Sequence, residues 1–105
     1  MTFNGQEGSA IDPDVAGDWT RRYREANPGT TFGHFFGRDI LQQVLNEKGS
    51  LGIRFYYGLT ADGARQLLAV AADAHMNDLL EGTNIVADET SDCPPYSSTN
   101  NVLNS

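Results

Sequence analysis

The spacing of hydrophobic residues changes along the chain, and each change marks an element. Val15, Trp19, Tyr23 and Ala26 recur at intervals of four, four and three, which places them on one stripe of a helix. Asp12 is suited to cap that helix, and Pro13 at its first position forfeits no hydrogen bond. Asn27-Pro28-Gly29 ends it. Gly17 lies inside and weakens the helix by about 1 kcal/mol relative to alanine, so a close backbone approach is expected there. A second helix is predicted from Phe35 or Gly37 to Lys48, with Gly49 as its cap. Phe36, Ile40 and Val44 make one row and Leu41 and Leu45 the next, a broad apolar face suited to a core.

From Leu51 the period falls to two. Leu51, Ile53, Phe55, Tyr57 and Leu59 point one way, and Gly52, Arg54, Tyr56 and Gly58 the other. Thr60 to Ala64 supplies a turn in which Gly63 can take positive φ, and Gln66 to Asp73 reads as the returning strand of a hairpin. Its run Leu67-Leu68-Ala69-Val70-Ala71-Ala72 suits a strand that is central or covered on both faces. A short helix over Ala64 to Ala74 is the alternative, which the Asp62-Gly63 turn disfavours. Ile85-Val86-Ala87 is a candidate third strand, and beyond Asp88 the composition shifts to Ser, Thr, Asn and Pro. The expected fold is α+β, with two N-terminal helices packed on an antiparallel hairpin or three-stranded sheet and an extended, ordered C-terminal coil. The expected division is an N-terminal arm over 1–11, a single domain over 12–88, and a segment over 89–105 packed on the domain or on a neighbour.

A chain of 105 residues can bury one core, and an aromatic content of 10% argues for folding. No apolar run approaches the roughly 20 residues that span a bilayer, and Met1 to Ala10 lack the pattern of a secretory signal. The expected location is cytoplasmic, or exported in processed form. A single cysteine closes no intrachain disulfide, and with two histidines it makes no zinc cluster, so neither cofactor nor metal is expected.

The net charge of -7 is unevenly placed. Residues 1–18 hold four acids and no base, residues 66–105 hold six acids and no base, and all seven bases lie between. Nucleic acid is a poor partner for such a chain, Arg21, Arg22 and Arg24 being the only candidate patch. Acidic ends beside a basic middle instead suit head-to-tail contact between copies, or acidic termini folded over the middle.

Three strings resemble a group of short uncharacterised proteins of Bacteroidota-type bacteria: His34-Phe35-Phe36-Gly37-Arg38-Asp39, Gly52-Ile53-Arg54-Phe55-Tyr56-Tyr57-Gly58 and Cys93-Pro94-Pro95-Tyr96, with the ending Asn104-Ser105. The resemblance spans about residues 12–105 and implies a chain plan without a chemistry. Ser97 stands where the group carries a second cysteine, and His75-Met76-Asn77 where it carries an Asn-Gly type of turn.

Individual residues offer little catalytic chemistry. Cys93 with His34 or His75 could form a thiolate–imidazole pair, but a lone cysteine is more often inert. Asp73, His75, Asn77 and Asp78 alternate like calcium ligands, yet Asp78 stands where glycine is needed and Asn84 where a bidentate glutamate is needed. No glycine-rich phosphate loop, HExxH or GxSxG occurs. The aromatic constellation is stronger. Tyr56 shares a strand face with Arg54 between Gly52 and Gly58, a flat surface that awaits a cover. Candidate covers are the first helix through Trp19 and Tyr23, a partner chain, or the segment from Asp88 onward, in which Pro94-Pro95 is read as extended and Tyr96 supplies a ring. The expectation is a non-enzymatic interaction or self-assembling module, its partner a second copy or another protein, with His34, Arg38, Arg54, Tyr56 and Tyr96 at the interface. The alternative is a small-ligand or enzyme-like pocket around His34, Arg38, Arg54 and Tyr56.

Overall fold

The computed structural model describes residues 1–105. In chain order its elements are α1 (Pro13–Ala26), β1 (Gly33–Phe35), α2 (Arg38–Leu45), β2 (Gly52–Leu59), β3 (Arg65–Ala72), β4 (Val86–Ala87) and β5 (Ser91–Cys93). The fold is α+β, as the periodicity predicts. The chain divides into two compact units, one of Met1–Glu7 with Phe36–Thr90 and one of Gly8–Phe35 with Ser91–Ser105.

The first unit is a three-stranded antiparallel sheet in the order β2-β3-β4, with α2 packed on one face. Eight residue pairs join β2 to β3, from Gly52↔Ala72 to Leu59↔Arg65. Val44 of α2 meets Ala69, Ala71 and Ala87 in the core, and Phe36, Ile40 and Ile53 pack around them. The small alanines let the helix approach the sheet closely. α2 stops at Leu45 rather than Lys48: Asn46 N–H makes the last bond of four-residue spacing, to the Gln42 carbonyl, and Glu47 N–H tightens to the Val44 carbonyl three residues back at 3.3 Å. Gly49 then takes φ +88° in the reversal into β2.

The strand face predicted to be core is buried only at one end. Ile53 packs on the core, Phe55 is half exposed beside Phe36, and Tyr57 and Leu59 are 95% and 73% exposed. Length explains this: eight residues make about 12 Å of helix but about 26 Å of strand, so α2 cannot cover the hairpin to its tip.

The second unit pairs β1 with β5 in a short antiparallel ribbon, Gly33↔Cys93, His34↔Asp92 and Phe35↔Ser91. α1 begins where its sequence signals place it, the Asp12 side chain accepting from the Asp14 N–H at 2.8 Å, and ends at Asn27. Its aromatic stripe faces outward, Trp19 being 59% and Tyr23 43% exposed. The buried residue of the helix is Gly17. Gly17 and Arg24, seven residues apart, share a face about 150° around the helix from that stripe. On that face lies the C-terminal segment: the Arg24 guanidinium donates to the Leu103 carbonyl at 2.5 Å and the Ser105 carbonyl at 2.6 Å, while stacking 5.5 Å from the Phe32 ring.

The C-terminal segment is therefore not an extended coil. Tyr96 N–H returns to the Asp92 carbonyl at 2.9 Å, which turns the Cys93-Pro94-Pro95-Tyr96 stretch back on itself. Farther on, Asn104 Nδ2 donates to the Ser98 carbonyl and Asn104 Oδ1 accepts from the Asn101 N–H. Asparagine side chains stand in here for backbone pairing.

A β-carbon at position 17 would lie 2.5 Å from the Val102 carbonyl oxygen, closer than real contacts allow. Gly17→Ala is accordingly expected to release residues 98–105 from α1, seen as faster amide exchange and proteolysis there. Unchanged tail protection, with the helix gaining the ~1 kcal/mol that alanine ordinarily provides, would show that the approach is not tight.

Candidate interaction site

Strand alternation sends Arg54 and Tyr56 to the sheet face opposite α2, as predicted, and the residue that unites them is Asp78. Arg54 Nη1 pairs with Asp78 Oδ1, Tyr56 Oη donates to Asp78 Oδ2 at 2.6 Å, and Arg54 Nη2 donates to the Met76 carbonyl at 3.1 Å. Asp78 reaches this face because it bridges to Ala72 on the far side of β3 from β2. The turn before it is fixed by Asp73, whose Oδ1 accepts from the His75 and Asn77 N–H groups at 2.9 and 3.0 Å. Met76 sits at φ +68°, which aims its carbonyl at Arg54. The Asp73–Asp78 stretch that alternates like a calcium loop thus uses its first carboxylate on its own backbone and its last on Arg54. No group of three His, Cys, Asp or Glu side chains is placed to hold a metal ion.

The cover over Arg54 is the N-terminal arm. Phe3 lies 5.4 Å from the Arg54 guanidinium, and its N–H donates to the Ala74 carbonyl at 2.9 Å. The C-terminal segment, expected on this face, makes the α1 and β1 contacts described above. Partial burial works against the charge of Arg54, but hydrogen bonding and charge from Asp78, with a bond from Tyr56, outweigh it and hold its pKa above the ordinary arginine value. A guanidinium so fixed is a structural cation and not a proton carrier. Beside it, Phe3, Glu7, Gly52, Arg54 and Ala72 help to line a cavity of about 290 Å³.

The remaining candidates fall elsewhere. Arg38 is the exposed first residue of α2. His34 and Tyr96 belong to the second unit. His34 Nδ1 lies 3.2 Å from Asp92 Oδ1 across the ribbon, and Tyr96 is 70% exposed. Cys93 stands opposite Gly33, so alternation puts its side chain on the ribbon face away from His34. Its thiol donates to the Tyr96 carbonyl at 3.1 Å. The thiolate–imidazole pair with His34, which the sequence allowed but disfavoured, is therefore not formed.

Sequence reasoning missed an exposed apolar surface, the outer edge of β2. β2 has a strand on one side only, and no backbone hydrogen bond crosses its other side. Thr60 N–H bonds the Ala64 carbonyl at 2.9 Å. Alternation from that bond directs the peptide groups of 58, 56, 54 and 52 toward β3, and those of 53, 55, 57 and 59 outward. Phe55, Tyr56, Tyr57 and Leu59 flank these free groups, 44–95% exposed. No family model, curated protein or solved structure matches the chain.

Two outcomes test the clamp and the arm. Asp78→Ala, which leaves Arg54 and Tyr56 without their shared acceptor, is expected to cost about 1.5–3 kcal/mol in denaturant unfolding, and Asp78→Asn less. The Glu7 carboxylate accepts from the Asn4 and Gly5 N–H groups, both at 3.0 Å. Those backbone bonds, Asn4 foremost, hold its pKa below the ordinary 4.5. Because the folded pKa is depressed, the stabilisation of the arm is complete above about pH 4.5 and fades as pH falls through the folded value. Amide shifts of Asn4 and Gly5 should follow that titration and should lose it in Glu7→Gln.

Proposed function

We propose that the chain is a non-enzymatic protein-interaction module whose contact surface is the aromatic edge of β2. The observation that carries this reading is an eight-residue edge strand with free outward peptide groups and Tyr57 95% exposed. Soluble proteins blunt such edges with lysine, proline, bulges or short strands. β4 is two residues long, which is one such device. β2 has none: its only charge is Arg54, neutralised by Asp78, and its register runs without a bulge from Gly52 to Leu59. An edge left sticky in this way serves strand addition, where main-chain bonds give affinity and alternate side chains give specificity.

Charge-driven contact between acidic ends and a basic middle is less well supported. Arg21 pairs with Asp18, Arg24 with tail carbonyls and Arg54 with Asp78, so these cations are already engaged within the chain. The ligand-pocket alternative rests on the cavity beside Arg54. There the guanidinium is turned to Asp78 and Met76, and the other charged group in the lining is the acid Glu7.

A photo-reactive phenylalanine analogue at position 57, irradiated in cells, is expected to give a discrete protein adduct that the same group at Lys48 does not give. Absence of any adduct from position 57 would remove the β2 edge as the functional surface.

A further inference from the structure

We propose that the occupant of the β2 edge is a second copy of this chain, its β2 paired antiparallel across a two-fold axis to make one six-stranded sheet. The inference rests on the interaction reading above and names its partner.

Charge is the first argument. Arg54 and Arg65 on the hairpin are balanced by Asp62 in its turn and by Asp78 at the clamp, so the edge is locally neutral within a chain of net charge -7. Such an edge holds no local attraction for an acidic or a basic peptide. It fits an uncharged strand of matching length, and β2 is one. Between two copies Arg54 also stays on its own Asp78, so the pairing strands no charge.

Geometry is the second. A two-fold axis perpendicular to the sheet keeps each face on its own side, so paired residue numbers must have the same parity. That confines the axis to a residue, and the fullest overlap of Gly52–Leu59 with itself centres on Phe55 or Tyr56. Outward peptide groups then meet outward ones, those of 53, 55 and 57 with the axis on Phe55 and those of 53, 55, 57 and 59 with it on Tyr56, as antiparallel hydrogen bonding requires. Centred on Phe55, Tyr57 faces Ile53 of the second copy and Arg54 faces Tyr56. Centred on Tyr56, Tyr57 faces Phe55 and Leu59 faces Ile53. The first arrangement covers Tyr57 and the second both Tyr57 and Leu59, which the single chain leaves 95% and 73% exposed, and neither brings two like charges opposite each other.

Sedimentation velocity over a range of protein concentration and salt tests this, joined to a spin–spin distance between labels at Asp62→Cys in a Cys93→Ser background. Expected are a dimer that tightens as salt rises, because two bodies of charge -7 repel, and a label separation of about 40–45 Å set by strand rise. The double variant Tyr57→Lys, Leu59→Lys should be folded, since both side chains are exposed, and monomeric at concentrations where the native chain is dimeric. A dimer that survives those lysines, that loosens with salt or that gives another label separation would overturn the proposal. So would a chain monomeric at every concentration. If that monomer still cross-links a different protein from position 57, the second copy is excluded and the interaction reading stands; if it cross-links nothing, both fall.

Discussion

In the first unit every side chain that matters is placed by the pairing of β2 with β3. The pleat has a period of two, so a slip of one residue would carry Ile53 and Phe55 to the face of Arg54, and Arg54 into the core. Two unlike contacts hold the register against that slip. On one face Ile53, Ala69 and Ala71 meet α2. On the other Arg54 and Tyr56 meet the two oxygens of one carboxylate, which is reachable only if both stand on the same side of the strand. An apolar contact tolerates small shifts, whereas a shared carboxylate is directional, so the clamp supplies the specificity and the core the bulk of the burial.

That core is made largely of the smallest apolar residues. Its buried members are Val44 and the alanines at 69, 71 and 87, with Val70 and Ala72 buried on the opposite sheet face, while Phe55, Tyr57 and Leu59 remain exposed. A buried methyl contributes roughly the ~0.8 kcal/mol of one CH₂, against 1.5–3 kcal/mol for a whole Leu or Phe side chain. Alanine permits the close approach of α2 but stabilises it little, and the larger apolar side chains toward the hairpin tip are left uncovered by α2. The same economy explains why strand pairing and the Asp78 clamp matter so much to this unit.

What the sequence discloses is local. The Asp12-Pro13 start, the Asn27 stop and the change of period at Leu51 are set by neighbours a few residues away, and each element forms where they place it. Gly17 betrayed a close approach, though not the Val102 carbonyl that makes it. Arg54 and Tyr56 could be paired on a face by counting, whereas Asp78 could not be assigned to them, because its place depends on the bridge to Ala72. The β1–β5 ribbon joins three-residue strands nearly sixty positions apart, too short to show a period of their own. The stripe of Trp19 and Tyr23 misled for another reason: periodicity identifies the apolar face of a helix but not what covers it, and α1 packs instead through a glycine and an arginine.

Arginine over phenylalanine recurs in both units. Arg54 stacks on Phe3 and Arg24 on Phe32, at 5.4 and 5.5 Å, and each sends its remaining donors to backbone carbonyls or a carboxylate. A guanidinium can do both at once because its plane offers a face to the ring and an edge of N–H groups to oxygen; an ammonium at either position would lose one contact or the other. Arg54 thereby fixes residues from the acidic start of the chain, and Arg24 residues from its polar end. Two of the seven bases in the middle of the sequence are thus engaged in fastening the chain's own ends, and each does so through a ring face and an oxygen edge together.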